Sequence, residues 1–540
     1  MSRQLVTFAF LATSSVLMAR GVALRNHPIP FAAVYGNTTT IAITSTSAVA
    51  EATSFAGRTP TTLFHNPFQF SIKVAFQYRI PRNHFWLDST PNANPLAKEG
   101  STGPLSTEEA DVCIIGSGIT GVSVAYHLAN AVDRAKQEPL KVVILEARDF
   151  CSGATGRNGG HLTPIAFIDF GDLQARYGQQ EALKALELEK HTANDVLEFI
   201  SSQNIADAVD LVAGGHVTMF ATDGEYSRAK DDYEAAKAAG VDLEGVEWLS
   251  VEEMRSTYGV TLPGARYKGH NLWPLKLVTY IYNYAKSQTE KVSLSLHTST
   301  PVTRVSRNEP IGTTSSRRWK VDTPRGSISC SYVVHATNAY ASHLIPHLRG
   351  PSGIIPTRGQ VVAIRAAVSV EELGGKVSWD GNDGFEYWFP RPVLASSDLE
   401  QQQQYPLIIL GGGREVESRF ELYETDDSKC NEAVGKVLKG FSSGLYSGKF
   451  EVGREPEMEW TGIMGFTKSK DPLVGPLGGY DVEGSEYEGQ FIAAGYSGHG
   501  MPRAYACAEV VASMISADLR GETWNPPKWF PQHLLTRRPH

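Results

Sequence analysis

Cysteine is scarce in this chain, and its scarcity narrows both the chemistry and the cellular location. Only five cysteines occur among 540 residues, and they are widely scattered: Cys113, Cys151, Cys330, Cys430 and Cys507. They form neither a metal-binding spacing nor a disulfide framework. We therefore expect no metal site, and the cysteine usage favours a reducing compartment, in the cytoplasm or in an organelle.

Excess positive charge and long apolar runs are also lacking. The 50 Lys and Arg residues are outnumbered by 58 Asp and Glu residues, which gives a formal net charge of -8. This balance argues against non-specific nucleic-acid binding. An apolar stretch at residues 5–19 is too short and too rich in Ser and Thr to predict a membrane span. The composition leaves the oligomeric state open.

Residues 1–24 fit three descriptions. Arg3 precedes the apolar stretch, and Gly21-Val-Ala23 offers the small residues typical of signal-peptide cleavage. No acidic residue precedes Glu51, which also suits an organellar transit peptide. The third description is an extension without a targeting role. The localisation therefore stays open, and secretion remains an alternative.

Residues 25–105 are rich in Thr, Ser, Ala, Asn and Pro and show no sustained periodicity. We expect a loosely ordered arm. The aromatic residues of its segment Ile80-Pro-Arg-Asn-His-Phe-Trp-Leu-Asp88 are candidates for docking on the folded body.

A glycine fingerprint follows the arm. Residues 112–115 predict a buried parallel strand, and Gly116, Gly118 and Gly121 come next in G-x-G-x-x-G spacing before a helix. The first glycine allows a tight turn, the second lets the backbone approach a pyrophosphate, and the third lets the helix pack on the strand. The helix N-terminus offers free N–H groups and partial positive charge to phosphates.

A carboxylate that could complete the nucleotide site follows at the end of the next predicted strand. Residues 141–145 predict a second parallel strand that ends at Glu146, where the acid is placed for a ribose 2′-hydroxyl and would repel a 2′-phosphate. Residues 147–161 are too glycine-rich for a helix or an ordinary strand and predict an extended backbone along a long cofactor. A surface loop is the alternative for this segment.

Two further strand ends carry candidate residues. Residues 332–334 predict a buried strand that ends in Ala336, Thr337 and Asn338. Residues 491–494 predict another strand, which continues into Gly495-Tyr-Ser-Gly-His-Gly-Met501 and an alanine-rich helix. A second helix N-terminus is thus directed at something that gains negative charge.

Local helix signals are clear elsewhere. Residues 173–202 predict one or two amphipathic helices. Ser250 is expected to cap a helix, with Glu253 completing a capping box. Residues 426–445 predict a further helix, and the strands between residues 360 and 410 indicate an antiparallel sheet.

Together these motifs resemble the D-amino-acid oxidase superfamily of FAD-dependent oxidoreductases. The resemblance spans residues 85–529. The chain is most similar to the branch of the superfamily that holds glycine oxidase, sarcosine oxidases and γ-glutamylputrescine oxidase. It is carried by Gly116-Ser-Gly-Ile-Thr-Gly121, Glu146, Gly153-Ala-Thr-Gly-Arg-Asn-Gly-Gly160, Arg358-Gly-Gln360 and Gly495-Tyr-Ser-Gly-His-Gly500.

The resemblance implies an α/β fold (α+β overall) within residues 106–520. A Rossmann-type FAD-binding domain would comprise residues 106–205, 265–345 and 456–520. An antiparallel-sheet substrate domain would comprise residues 206–264 and 346–455, and residues 521–540 would form a C-terminal tail.

The resemblance also implies a chemistry. The family oxidises a C–N bond of an amine or amino acid by passing a hydride equivalent to flavin N5, and O2 or another acceptor reoxidises the flavin. The residues that we expect to hold FAD are Gly116, Ser117, Gly118, Ile119, Thr120, Gly121, Glu146, Ala147, Arg148, Ala154, Thr155, Gly156, Arg157, Asn158, Gly159, Gly160, Val302, Ala336, Thr337, Asn338, Gly495, Gly498, His499, Gly500 and Met501.

Three residues are catalytic candidates. His499, with the N–H groups of residues 498–501, would stabilise negative charge on the flavin; alternatively it only shapes the turn. Tyr387 and its neighbour Trp388 are candidates for the pocket wall, or else pack on a sheet face. Arg358 would orient a charged group near the flavin edge, or else form a buried structural ion pair.

Two departures from the family pattern bear on the substrate and on the cofactor link. Amino-acid-oxidising relatives often carry an arginine shortly after the Trp-x-Gly step, whereas Trp460-Thr-Gly-Ile-Met-Gly465 places Met464 there. This favours an amine or an N-substituted compound. No cysteine lies between Cys430 and Cys507 to tether the flavin as in some sarcosine-oxidising relatives, so we expect non-covalent FAD, although His161 or Cys151 offers a different tether.

Two other functions stay open on the sequence alone. One is a flavin-binding protein without turnover, suggested by the missing arginine. The other is an NAD-linked Rossmann enzyme, which the glycine-rich segment and the C-terminal return disfavour.

Overall fold

The computed structural model describes residues 84–537 except 91, 106–108, 132–137, 309–316, 394–404 and 480–485. Residues 1–83, with the predicted targeting segment and most of the arm, lie outside this description. All described residues belong to one compact unit, Pro81–His540.

The helices occur throughout the unit and are numbered in chain order: α1 Phe85–Asp88, α2 Ile119–Ala131, α3 Phe170–Tyr177, α4 Gln179–Ser202, α5 Asp223–Ala238, α6 Val251–Tyr258, α7 Pro274–Ser287, α8 Ala341–Leu344, α9 Glu432–Leu445 and α10 Met501–Arg520. Within the described part of the chain, each helix is too short or too polar to cross a membrane.

The strands are numbered in the same way: β1 Ala110–Ile115, β2 Leu140–Leu145, β3 His161–Leu162, β4 His216–Met219, β5 Glu247–Leu249, β6 Gly264–Tyr267, β7 His270–Asn271, β8 Val292–His297, β9 Arg304–Arg307, β10 Trp319–Thr323, β11 Gly326–His335, β12 Ile355–Arg365, β13 Ser378–Gly381, β14 Glu386–Pro390, β15 Leu407–Gly412, β16 Met458–Phe466, β17 Leu473–Pro476 and β18 Gln490–Ala494.

The first sheet, called the parallel sheet below, has the order β17-β18-β11-β1-β2-β8, with β10 and β9 attached at β11. Neighbouring strands from β18 to β8 run parallel, and Val112 pairs with both Val142 and Tyr332. Continuous apolar runs such as β1 suit a strand that is buried on both faces. Because the strands are parallel, β1, β2, β11 and β18 end at one edge.

Helices α2 and α10 cover this sheet close to that edge. The face of α10 carries Ala504, Ala508 and Ala512 at a spacing of four residues, and all three are at most 1% exposed. Small side chains at this spacing let two helix backbones approach closely. This packing places the N-termini of α2 and α10 beside the strand ends.

The second sheet, called the antiparallel sheet below, has the order β16-β12-β15-β14-β13-β4-β6-β5. All its pairs are antiparallel except that of β13 with β4. The two sheets confirm the predicted α/β class with a second, antiparallel sheet. The short β3 pairs with β7 and carries the glycine-rich segment from one sheet towards the other.

Some boundaries differ from those expected. We assigned residues 456–520 to the nucleotide-binding part, but β16 pairs with β12 along nine residue pairs and so lies in the antiparallel sheet. Helix α9 begins at Glu432 rather than at residue 426, because Asn431 caps it through the N–H groups of Ala433 and Val434. Helix α1 belongs to the expected loose arm, and its aromatic residues dock on the folded body as predicted: Trp86 is fully buried and donates from Nε1 to Asn158 O at 2.6 Å.

Candidate active site

The first glycine loop is closed by backbone contacts. Gly116 has φ +108°, and a Cβ there would lie 2.6 Å from Ala336 O. A Cβ at Gly121 would lie 2.0 Å from Gly116 O. Distances this short exclude any side chain, so the fold itself requires glycine at both positions.

Gly118 differs from its two neighbours in the fingerprint. A Cβ there would meet only the Thr155 side chain, with Oγ1 at 3.1 Å. Protein contacts therefore leave room above Gly118 at the N-terminus of α2, where Thr155 Oγ1 accepts the N–H of Ile119 at 3.1 Å. A small cradle beside free helix N–H groups fits a pyrophosphate.

Glu146 lies at the end of β2, beside this cradle. Its carboxylate accepts hydrogen bonds from Ser117 N at 3.0 Å, Ser117 Oγ at 2.8 Å and Arg148 N at 2.8 Å. A carboxylate has about four acceptor positions, so these bonds leave capacity for a ribose hydroxyl. The same three bonds fix the loop and the start of the glycine-rich segment to each other.

The remaining strand-end candidates lie at the same edge. Ala336 and Thr337 follow β11, and Thr337 Oγ1 is buried without a hydrogen-bond partner among the described residues. Thr120 Oγ1 lies 3.0 Å from Tyr496 Oη, which links the first loop to the last strand–helix connection. Val302 is buried behind β2. An orphaned hydroxyl at this edge is consistent with a bound group that supplies the missing partner.

We expected the glycine-rich segment to be extended throughout, but the structure shows that part of it is not. Residues Ala154–Arg157 form a 3₁₀ turn, which a Cβ at Gly156 would block by meeting Cys151 O at 2.2 Å. The Arg157 guanidinium fixes the turn, because it donates to Ser152 O at 2.6 Å and to Thr461 O at 2.8 Å. Asp427 also fixes this segment, since it accepts two hydrogen bonds from Arg148 and forms an ion pair with Arg157.

After the turn the segment approaches the antiparallel sheet. A Cβ at Gly159 would lie 2.5 Å from Tyr387 Cε2, so glycine is needed for this contact. Asn158 Oδ1 accepts the N–H of Gly160 at 2.7 Å. The His161 ring stands edge-on to Tyr387 at 5.7 Å, and burial lowers its pKa to about 3, which keeps the imidazole neutral.

The second glycine loop, residues 495–501, connects both sheets. Gly495 N donates to Asn338 Oδ1 at 2.9 Å, at the end of β11. Ser497 N donates to Gly465 O at 2.7 Å, in β16 of the antiparallel sheet. Gly500 and Met501 then begin α10. Pro502 has no N–H and Arg503 N donates to Gly500 O at 3.2 Å, so the N–H groups of Gly500 and Met501 are those not used within the first turn.

His499 is held by a buried acid. Its Nε2 lies 3.1 Å from Glu189 Oε2, and Arg503 Nε lies 2.7 Å from Glu189 Oε1. Burial opposes ionisation of Glu189, but His499 and Arg503 outweigh it and lower the pKa of Glu189 to about 2. Glu189 was not singled out in the sequence, where it is one of several acids on an amphipathic helix.

The three catalytic candidates do not form one cluster. In the described part of the chain, no hydrogen bond or ion pair joins His499, Tyr387 and Arg358. Arg358 forms an ion pair with Glu421 and donates to Asp426 O at 3.2 Å, which matches the structural alternative. Trp388 lies on the face opposite Tyr387, where it stacks on Trp379, so its packing alternative applies.

Among the three candidates, Tyr387 is the one at which the antiparallel sheet contacts the glycine-rich segment. We define the central site as Gly159, Tyr387, Arg414, Phe466 and Gly498. Arg414 Cζ lies 5.0 Å from the Phe466 ring centroid, and a Cβ at Gly498 would lie 3.5 Å from Phe466 Cζ. Burial raises the pKa of Tyr387 to about 12, and the nearby Arg414 charge opposes that shift.

Sequence reasoning missed Arg414 and Phe466. The available signal was Gly411-Gly-Gly413, which directly follows an apolar strand and precedes Arg414. A Cβ at Gly411 would lie 2.3 Å from Tyr387 Cζ, so this glycine makes room for the Tyr387 ring.

The metal and tether predictions concern other residues. His191, Asp195 and Glu509 place potential ligand atoms within 4.8 Å of one another, but His191 Nε2 already pairs with Glu509 at 2.8 Å. Cys151 is fully buried, and burial raises the pKa of its thiol. Non-covalent FAD stays a prediction.

Comparison with known proteins gives a family match over most of the chain. The model of the FAD-dependent oxidoreductase family, DAO, matches residues 111–514. The γ-glutamylputrescine oxidoreductase of Escherichia coli (strain K12) is 25% identical over 426 residues, which cover 76% of this chain and 84% of the relative.

Solved structures show the same fold. Glycine oxidase from Geobacillus kaustophilus superimposes with a TM-score of 0.57 at 18% identity and covers 78% of this chain and 97% of its own. L-Proline dehydrogenase from P. horikoshii gives a TM-score of 0.56 at 20% identity and covers 80% of this chain and 98% of its own.

Proposed function

We propose that this chain, which belongs to the FAD-dependent oxidoreductase family, oxidises the C–N bond of an amine or amino acid. The predicted family and the predicted cofactor are confirmed, and the NAD-linked alternative is wrong. The relative and the neighbours are named for γ-glutamylputrescine, glycine and L-proline, each of which has an amine nitrogen. That common feature supports the proposed substrate class.

The residues of the first loop would hold the nucleotide end of FAD. Gly118 and the N-terminus of α2 would receive the pyrophosphate, and Glu146 would bind a ribose hydroxyl. When bound, FAD supplies the hydride acceptor at N5 and then passes the electrons to O2 or another acceptor.

The second loop would serve the reactive end. Backbone N–H groups at the N-terminus of α10 are aligned with its dipole, and they favour negative charge near them. Glu189 would keep His499 turned away from this charge while fixing the loop. His499 would therefore act as a positioning residue.

The observation that carries the proposal is the convergence on Tyr387. This tyrosine of the antiparallel sheet contacts Gly159 of the cofactor-binding segment, while Phe466 of the same sheet contacts Gly498 of the second loop. Tyr387 is protonated at neutral pH, and burial raises its pKa further, to about 12. Its hydroxyl would donate a hydrogen bond that orients the substrate beside the flavin.

Anaerobic spectroscopy tests this proposal. Purified protein is expected to show a flavin spectrum that an amine or amino acid bleaches without oxygen, and reoxidation with O2 or an artificial dye identifies the acceptor. A colourless protein that cannot be reconstituted with FAD would contradict the cofactor placement. Bound flavin that no amine or amino acid reduces would favour the alternative without turnover.

A further inference from the structure

Arg414 is half-buried, and it differs from three other buried or half-buried arginines because it has no ion-pair partner among the described residues. Arg148 pairs with Asp427, Arg358 with Glu421 and Arg391 with Asp210. Around Arg414, by contrast, no carboxylate in residues 84–537 outside the gaps lies within ion-pair distance. We propose that Arg414 binds a carboxylate of the substrate and so replaces the arginine that is missing after Trp460-Thr-Gly462.

Two aromatic rings hold the guanidinium of Arg414. Its Cζ lies 5.0 Å from the Phe385 ring centroid and 5.0 Å from the Phe466 ring centroid. Both rings favour a cation and remove water from around it. A guanidinium that is fixed in this way keeps its planar fork free for a carboxylate.

The two acids beside Arg414 do not neutralise it by direct pairing. Glu386 is fully buried, and burial together with Glu415 raises its pKa well above the ordinary value, which favours the neutral acid. Its oxygens accept hydrogen bonds from Asn382 Nδ2 at 2.9 Å and Gly413 N at 3.1 Å. Glu415 interacts electrostatically with both Glu386 and Arg414, but it lies beyond ion-pair distance of the guanidinium.

Arg414 directly follows the antiparallel sheet and reaches the face of β16 that carries Met464 and Phe466. Gln360 pairs with Gly412 on one side and with Thr461 on the other, so β15 ends level with Thr461, and Arg414 begins a 3₁₀ turn after Gly413. Met464 and Phe466 both face Gly498, where a Cβ would lie 3.8 Å from Met464 Sδ. The cation therefore reaches the same site from the turn that follows a different strand.

This inference rests on the proposed function and narrows its substrate. An unpaired guanidinium at the central site favours an amine that also carries a carboxylate, such as an N-substituted amino acid. It disfavours a simple monoamine, which would supply no carboxylate to pair with the Arg414 guanidinium.

Binding of unreactive carboxylates tests the role of Arg414 without turnover. Benzoate is titrated into the holoenzyme, with Tm and the flavin difference spectrum as readouts, and benzamide serves as the uncharged control. We expect the Kd for benzoate to rise about 10- to 100-fold in Arg414→Met and less in Arg414→Lys. Arg419→Met, which removes an exposed arginine of the same segment, should bind benzoate like the wild type.

Kinetics separate this inference from the proposed function. With a carboxylated substrate, Arg414→Met should raise KM by a similar factor, whereas Arg419→Met should keep the wild-type KM. Wild-type affinity for benzoate in Arg414→Met, or absence of carboxylate binding in the wild type, would overturn the inference. If no compound reduces the wild-type flavin, the proposed function fails, and the benzoate titration still decides the role of Arg414. Should Arg414→Met fail to fold, Arg414→Lys against Arg419→Lys gives the same comparison.

Discussion

The chain contains two strand–glycine–helix units, and they close in different ways. In the first, β1 to α2, added Cβ atoms at Gly116 and Gly121 would collide with backbone oxygens at 2.6 and 2.0 Å. In the second, β18 to α10, an added Cβ at Gly498 would meet only side chains, at 3.5 Å or more. The first loop is thus set by backbone contacts, within the loop and with Ala336 after β11, whereas the second is set by neighbours from both sheets.

A carboxylate fixes each glycine loop, and the two carboxylates differ in how far they lie from their loop in the sequence. Glu146 lies at the end of the next strand, β2, and accepts hydrogen bonds from Ser117. Glu189 belongs to a distant helix and reaches the second loop through His499 and Arg503. Local spacing therefore suffices to recognise the first unit, whereas the second depends on contacts between residues far apart in the chain.

The largest expected effect concerns the backbone closure of the first loop. Gly121→Val places side-chain atoms against Gly116 O, so we expect a loss of at least about 3 kcal/mol in the free energy of unfolding. Urea unfolding of the apoprotein measures it. Wild-type stability in this variant would mean that the loop does not close as described.

Gly118→Val sharpens the contrast within the same loop. Only Thr155 Oγ1 would be displaced, so the apoprotein should keep its stability within about 1 kcal/mol. FAD binding should be abolished, because the side chain fills the space for the pyrophosphate. Flavin fluorescence during reconstitution provides the measurement, and a variant that retains full flavin would refute this placement.

Glu189→Gln tests how the second loop is fixed. Removing this anion leaves Arg503 without its buried partner, and we expect a loss of about 3 kcal/mol at neutral pH. The folded-state pKa of about 2 lies below the ordinary 4.5, so the contribution of Glu189 is present above about pH 4.5 and is lost as the pH falls towards 2. Unfolding at about pH 6 and about pH 3 should show the gap between the two proteins shrinking. A gap independent of pH would exclude the ionised carboxylate as its cause.

The smallest effect is expected at Tyr387, where the antiparallel sheet contacts the glycine-rich segment. Tyr387→Phe removes one hydroxyl donor and should lower kcat/KM about tenfold without changing stability or FAD affinity. Trp388→Phe is the matched control on the opposite face of β14, where it loses the bond from Nε1 to Tyr446 Oη and should reduce stability but not kcat/KM. Equal kinetic effects in both variants would remove Tyr387 from the substrate wall.

Local patterns predicted the elements well where one segment carries its own signal. The capping box of Ser250 and Glu253 is present, and residues 173–202 form the two helices α3 and α4. The roles of individual arginines were not predictable, because the residues next to Arg358 and Arg414 in the sequence do not show which of the two forms an ion pair. Only the fold shows that Glu421 forms an ion pair with Arg358, whereas no acid in the described part of the chain forms one with Arg414.

The sequence alone determined the family, the fold class and the first cofactor loop, because strand, glycine spacing and terminal acid lie within about forty residues and act locally. The tertiary structure decided which side chains share the central site. Tyr387 and Phe466 come from two strands of the antiparallel sheet, and Arg414 directly follows a third. Gly159 and Gly498 reach them from the cofactor-binding segment and the second glycine loop. Such proximity depends on strand order and register, which no single segment encodes.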